Sequence, residues 1–576
     1  MANKNKKNIN PFLAVGAIAG AAAIAAMSAK KIKDKKDKTI TISKNFDIEE
    51  ENRQIYFIGG GLSSLAGAAY LIRDCNIKGE NIHILEERKV LGGSNDGSGN
   101  SEKGYICRGI RMLNKDTYEN FFELFDSIPS LGKPEISVTE EILNFNNFHP
   151  IKEQARLIDK DGNIINVNET GLNNLDKIAL GRLLTVPEEK LENLKIEDWF
   201  KKTPHFFTTN FWYMWQTTFY FQRWSSLFEF KRYIQRMISN ISDLETLEWV
   251  MRTEFNQYES IILPLKAYLD KNSVDFNTNS KVIDIEFENG SEITAKKLII
   301  EEEDGQKTIN IEKGDLCIMT NSCMINSTTV GDYKKAPEYI PNKSITEDLW
   351  SKIAKKKIGF GNPEVFYSNA EQTNWESFTI TCRGNKLLKS IEKLSGNIPG
   401  SGALMTFKDS NWLLNIVVPA QPHFKNQPLD ITVLWGYGLY TGKVGNYIEK
   451  RMRECTGEEI LEELLHHLHI EEDIEEIKES IINVIPCMMP YVNAQFQPRK
   501  ITDRPKVVPE GSTNFAMISQ FVEIPEDIVF TEEYSVRAAR IAVYDLLGIK
   551  DKEVIPVTQN KNNLKVIFKA LKKALK

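Results

Sequence analysis

Short apolar runs alternate with helical patterns along most of this chain, and the first 60 residues of its main body set the theme. Gln54-Ile-Tyr-Phe-Ile-Gly59 reads as a strand, and Leu65-Ala-Gly-Ala-Ala-Tyr-Leu-Ile72 as a helix of small residues. Asn81-Ile-His-Ile-Leu85 reads as a second strand, ending on Glu86. Strand, helix and strand in that order predict a parallel pair with a crossover. Tyr118 to Phe125 patterns as an amphipathic helix, and Ile136 to Leu194 as mixed strands and loops. From Trp199 to Met251 large rings recur at helical spacing: Phe206, Phe207, Phe211, Trp212, Trp215, Phe219, Phe221 and Trp224. Most of these rings are core by default, although the same stretch suits the wall of a long apolar pocket.

Further on, Lys281-Val-Ile-Asp-Ile-Glu-Phe287 predicts a strand, and Asn289-Gly290 a hairpin turn. Asp315-Leu-Cys-Ile-Met-Thr-Asn321 has the all-apolar pattern of a buried strand and is expected to rejoin the first sheet. Trp412 to Val418 predicts another strand, and Glu458 to Glu479 an acidic helix pair. The main body closes with a strand over Phe515 to Ser519 and a helix from Ser535. The fold class expected is α/β, mixed with α+β: one sheet visited three times, with substrate-side segments inserted between visits. The boundaries expected are a tail over 1–50, nucleotide-binding pieces over 51–135, 271–330 and 501–550, substrate segments over 136–270 and 331–500, and a terminal helix over 551–576.

The turn after the first strand carries the chemistry. Gly59-Gly60-Gly61-Leu62-Ser63-Ser64 would bring backbone N–H groups to a pyrophosphate at a helix N-terminus, with Gly59, Gly61, Leu62 and Ser63 as contacts. Glu86 would accept from ribose hydroxyls. Ser64 stands where a third fingerprint glycine is expected. Glu86 is followed by Leu91-Gly92-Gly93-Ser94, which resembles the second signature of FAD-binding folds and adds Gly92, Gly93 and Ser94 as cofactor contacts. Arg108 and Arg111 bracket Gly109, where backbone can approach a flavin or phosphate closely.

Composition narrows the classes. The chain has 576 residues, is 41% hydrophobic and 26% charged, and carries a formal charge of −6, so nothing in its overall charge points to nucleic acid. Seven cysteines without a Cys-x-x-Cys pair suggest reduced thiols in a reducing compartment, not a disulfide framework or zinc site. His466, His467 and His469 read as a solvated helix face, and no metal site is expected. Pro11 to Met27 is uncharged and rich in Ala and Gly, flanked by lysines that are denser after it. Its length barely spans a hydrocarbon layer of about 30 Å. Signal peptide, membrane anchor and plain tail compete here; the heavier charge after the segment favours a cytoplasmic main body, and the segment is expected to be a weak anchor or a surface-associating helix. At the other end Leu564, Ile567, Phe568, Leu571 and Leu575 share a helical face ringed by six lysines. That is the pattern of a membrane-surface helix, drawn to anionic lipid by about 1 kcal/mol per lysine.

Several motifs together resemble one family, the oleate hydratases or myosin-cross-reactive antigens. They include Phe211-Trp-Tyr-Met-Trp-Gln-Thr-Thr-Phe219, Glu229-Phe-Lys-Arg-Tyr-Ile-Gln-Arg236, Asn256-Gln-Tyr-Glu-Ser260 and Gln421-Pro-His-Phe-Lys-Asn-Gln-Pro428. Thr432-Val-Leu-Trp-Gly-Tyr-Gly438 and the run from Gln520 to Arg537 add to them. The resemblance implies an FAD-binding enzyme that adds water to the cis double bond of unsaturated fatty acids such as oleate or linoleate, working at a membrane surface and often as a homodimer. It assigns the proton donor to Tyr233 and the substrate carboxylate to Gln257 and His423. The family's water-activating Glu falls at Met112, beside Arg111, within Arg108-Gly-Ile-Arg-Met-Leu113. Two further carboxylate anchors fall at Val417 and Pro419, and Ser519 stands where a glycine ends the late flavin strand. A methionine accepts no proton, so two other readings stay open: a flavin-dependent double-bond isomerase and a non-catalytic lipid-binding flavoprotein.

Overall fold

The computed structural model describes residues 52–341, 348–470 and 473–558. Its organising element is a five-stranded, all-parallel sheet. Its strands in chain order are β1 (Ile55–Ile58), β2 (Ile82–Glu86), β3 (Asp275–Thr278), β4 (Leu316–Thr320) and β5 (Phe515–Ile518), arranged β5-β4-β1-β2-β3. The chain therefore visits this sheet three times, as its apolar runs imply. β1 and β4 are buried on both faces and read as continuous apolar runs, whereas the polar Asp-Phe-Asn-Thr of β3 occupies an edge. Helix α1 (Leu62–Cys75) makes the β1–β2 crossover and packs its buried Ala-rich face on the sheet. A Cβ at Gly67 would stand 2.7 Å from the Phe57 ring. Gly67, one turn beyond Ser64, thus supplies the close helix–strand approach that a third fingerprint glycine would give. Ser64 instead ties α1 to β4 through Thr320 Oγ1 at 3.2 Å.

A seven-stranded sheet forms the other half of the core, antiparallel throughout except for the pairing of Leu157–Ile158 with Met405–Phe407. The segment between β2 and the first long helices bridges the halves. Tyr105 N donates to Thr381 Oγ1 (2.9 Å), Cys107 N to Thr379 Oγ1 (3.3 Å) and Leu113 N to Met251 O (3.0 Å).

Four expectations are corrected. Ile136 to Leu194 carries, beside one short strand, Leu157–Ile158, two helices, Val138–Phe148 and Asn174–Thr185. Their start signals are local: Ser137 Oγ accepts from Glu140 N, and Asn173 with Asp176 forms a capping box. The aromatic stretch is broken into Asn210–Phe219 and α2 (Leu227–Arg236), with Tyr220 at φ 62° ending the first. His467 is buried, not solvated, and stacks on Phe407. The last helix, α3 (Glu532–Leu547), begins three residues before Ser535, capped by Thr531. All seven cysteines are free and five are buried. Among the described residues no helix is long and apolar enough to cross a membrane. The segments expected to meet a membrane, 11–27 and 561–576, lie outside the described residues.

Candidate active site

One cavity of about 540 Å³ opens along the C-terminal ends of β1, β2, β4 and β5, the edge where parallel sheets hold their ligands. Gly59, Gly61, Leu62, Ser63, Glu86, Gly92, Gly93, Ser94 and Ser519 line it at the sheet end. Arg111, Met112 and Tyr233 line it further in, with Phe219, Tyr220 and Trp249. Of the eight aromatics singled out between Phe206 and Trp224, Phe219 alone reaches it; the others are core.

The sheet end is pre-shaped by its own hydrogen bonds. Glu86 turns back onto the glycine turn, accepting from Gly60 N (2.6 Å) and Arg88 N (2.9 Å). Burial raises its carboxyl pKa, and these two N–H groups oppose the rise. Gly92 N donates to Gly60 O at 2.8 Å, so the second glycine signature docks on the first. A Cβ on Gly60 would lie 2.5 Å from Leu91. No side chain caps the N-terminus of α1, and its first turn holds no acid, so its free N–H groups face the cavity. These features fit a dinucleotide: open amides for a pyrophosphate, a buried acid for a ribose and glycines where backbone must approach.

The inner end is held by ion pairs. On α2, Arg232 meets Glu188 and Glu523, each at 2.7 Å, and Arg236 meets Glu119 at 2.6 Å. Buried Glu229 meets Arg499 at 2.7 Å and Arg504 at 3.0 Å. Tyr233, between these anchors, donates to Val529 O at 2.5 Å, and burial holds its phenol well above the usual range. Arg111 reaches back to Asn95 Oδ1 (3.4 Å) and Ser94 O (3.1 Å), linking both ends of the cavity. Met112 presents a thioether to the cavity and takes a hydrogen bond from Tyr118 on its carbonyl (3.1 Å).

Four predicted residues do not line this cavity. Arg108 is paired with Asp96 at 2.9 Å, and Gly109 lies behind the wall. Gln257 grips that wall: its amide nitrogen donates to Gly109 O (3.1 Å) and its oxygen accepts from Arg111 N (2.6 Å). His423 is joined to the same segment, its carbonyl accepting from Asn256 N at 3.0 Å. Burial, and then Arg252, push its imidazole pKa down to about 3, so the ring is neutral, and its Nε2 has no partner.

Two residues escape a reading of the sequence. Buried Arg252 donates to the carbonyls of Ile110, Arg111 and Ala403, and no acid among the described residues pairs with it. Burial lowers its pKa to about 10. Glu532, the first residue of α3, lines the cavity at 6% exposure, with the Asn95 amide beside it but no hydrogen bond of good geometry on either carboxylate oxygen. Burial pushes its pKa up to about 7, against the pull of Arg111 and then the nearby Asn95 amide. In the sequence Thr531-Glu-Glu533 is an ordinary acidic helix start; only the fold buries the first acid in a cavity.

The MCRA family model matches residues 52–544. The chain belongs to the MCRA family. It is 36% identical over 559 residues to a linoleate hydratase of Lactiplantibacillus plantarum, covering 90% of this chain and 97% of that protein. It is 37% identical over 515 residues to an oleate hydratase of Streptococcus pyogenes serotype M49, covering 86% of each. Among solved structures it is similar to an oxidoreductase from Methanosarcina mazei, with TM-score 0.47 and 12% identity over 86% of this chain and 100% of that one. That likeness is too distant to bear on function.

Proposed function

We propose that this chain is an FAD-dependent fatty acid hydratase, adding water to the cis double bond of unsaturated fatty acids such as oleate or linoleate. The observation that carries the reading is the continuous cavity, which joins a dinucleotide-type glycine turn to a buried tyrosine and aromatic walls. Near full-length similarity to two hydratases supports it. The α1 N-terminus and Glu86 hold the pyrophosphate and ribose, and Gly92, Gly93, Ser94 and Ser519 the rest of the cofactor. FAD bound there would help to order the site and would not be consumed, because hydration is redox neutral.

Hydration needs a proton at one alkene carbon, an activated water at the other, and a pocket closed to solvent. Tyr233 supplies the proton; burial keeps its hydroxyl protonated across the working pH range, and the ion pairs of α2 fix its position. Arg111 orients the water, Met112 being unable to accept a proton. The substrate carboxylate reaches past the cavity wall toward neutral His423 and buried Arg252, neither of which lines the cavity itself, while Gln257 acts by holding the Gly109–Arg111 wall. Selecting one bond follows from fixing that end of the chain. The lysine-rich segment 561–576 brings the protein to the membrane that supplies its substrate.

FAD-loaded protein incubated with oleate and with linoleate tests this, with products read by mass spectrometry. The reading expects a product heavier by one water. A product of unchanged mass with a displaced double bond would mark an isomerase, and no product a lipid-binding flavoprotein.

A further inference from the structure

Position 112 offers no proton acceptor, yet the cavity wall holds another buried carboxylate, Glu532. Glu532 reaches the cavity from the start of α3, on the other side of the chain from the segment where the acid was expected. It is more than nine-tenths buried, and the Asn95 amide stands beside it without a hydrogen bond of good geometry to either oxygen. Its neighbour Glu533 is, by contrast, fully engaged, accepting from Asn120 and Phe121 and pairing with Arg537 at 2.9 Å. A buried carboxylate left open in this way is costly unless something in the cavity uses it. The ionisable groups that face it are Arg111 from the bridging segment and Tyr118, whose hydroxyl bonds the Met112 carbonyl. Glu532 therefore looks onto the same space as position 112.

We propose that Glu532 is the base that activates water in this chain, doing from α3 what position 112 cannot do. The inference rests on the hydratase reading above. In the step, the alkene π pair takes the Tyr233 hydroxyl proton at one carbon. A lone pair of the water oxygen closes on the other carbon, and Glu532 takes one water proton. That proton returns to the Tyr233 phenolate through the cavity, so alkene and water are consumed and only the alcohol leaves. The base works only when ionised, so turnover rises as pH increases through the range in which Glu532 loses its proton.

The test uses full-length FAD-loaded protein with oleate, comparing wild type, Glu532→Gln, Met112→Glu and the double variant. Glu532→Gln is expected to lower kcat by at least about 100-fold and to abolish the rise with pH. Its FAD affinity should stay within about twofold of wild type, read by flavin absorbance. Adding Met112→Glu should restore at least about tenfold of the loss by supplying the carboxylate from position 112. Wild-type turnover by Glu532→Gln would overturn the assignment and leave the hydratase reading standing. So would a loss of activity that tracks loss of flavin and is not rescued by Met112→Glu. A wild-type protein that hydrates nothing would overturn both.

Discussion

Glu532 has a consequence for stability that needs no substrate. Its carboxyl titrates at about 7 in the folded protein against an ordinary 4.5, because burial disfavours the charge more than Arg111 restores it. Between those values the folded chain holds a proton that the unfolded chain has released, so stability falls as pH rises from 4.5 to about 7. Above that range the full penalty is present, and moving a carboxyl from 4.5 to about 7 corresponds to roughly 3 kcal/mol. Gln has nearly the same shape and stays neutral. Cofactor-free Glu532→Gln should therefore be more stable than wild type by up to about 3 kcal/mol at pH 8, with the difference vanishing near pH 4.5. Paired thermal or urea unfolding curves at pH 5 and pH 8 would show it. An equal difference at both values, or a variant less stable at pH 8, would refute the idea that this carboxylate is buried with no cation paired to it. A stabilising substitution that abolishes turnover is the signature expected of an acid retained for chemistry.

Three further substitutions probe the rest of the site. Glu86→Gln replaces an acceptor facing Gly60 N with an amide that cannot satisfy both backbone donors, at about 1.5–3 kcal/mol, and should weaken FAD binding about 10–100-fold in a flavin titration. Tyr233→Phe should cut hydration by about 100-fold or more while leaving FAD affinity unchanged, and should lose only about 1 kcal/mol of stability with the Val529 hydrogen bond. Ser519 sits at φ 88°, where a side chain is strained, so Ser519→Gly should raise the unfolding midpoint, with a net gain of about 0.5–1 kcal/mol after the entropy cost of glycine.

Much of this architecture was legible because local signals agree with one another. Apolar runs at Ile55, Ile82, Leu316 and Phe515, each too short for a helix, named four of the five parallel strands, and glycine spacing named the turn after the first. The role of the missing third glycine was not legible, since only the packing of Gly67 on Phe57 reveals where that close approach occurs. The helices after Ser137 and Asn173 were hidden by weak apolar periodicity, although their capping residues were present. Candidate site residues near the nucleotide turn were legible because a backbone requirement fixes them. Glu532 and Arg252 were not: their significance lies in charge buried without a salt bridge among the described residues, a property of the folded surroundings and not of the residues themselves.

The central claim is that the cavity adds water across a carbon–carbon double bond. Running the reaction with oleate in heavy-oxygen water, with FAD-loaded wild-type protein, tests it most directly. The account predicts a hydroxy fatty acid carrying one heavy oxygen on the former alkene carbon. A hydroxylated product without the label, or recovery of oleate unchanged beside bound flavin, would contradict it.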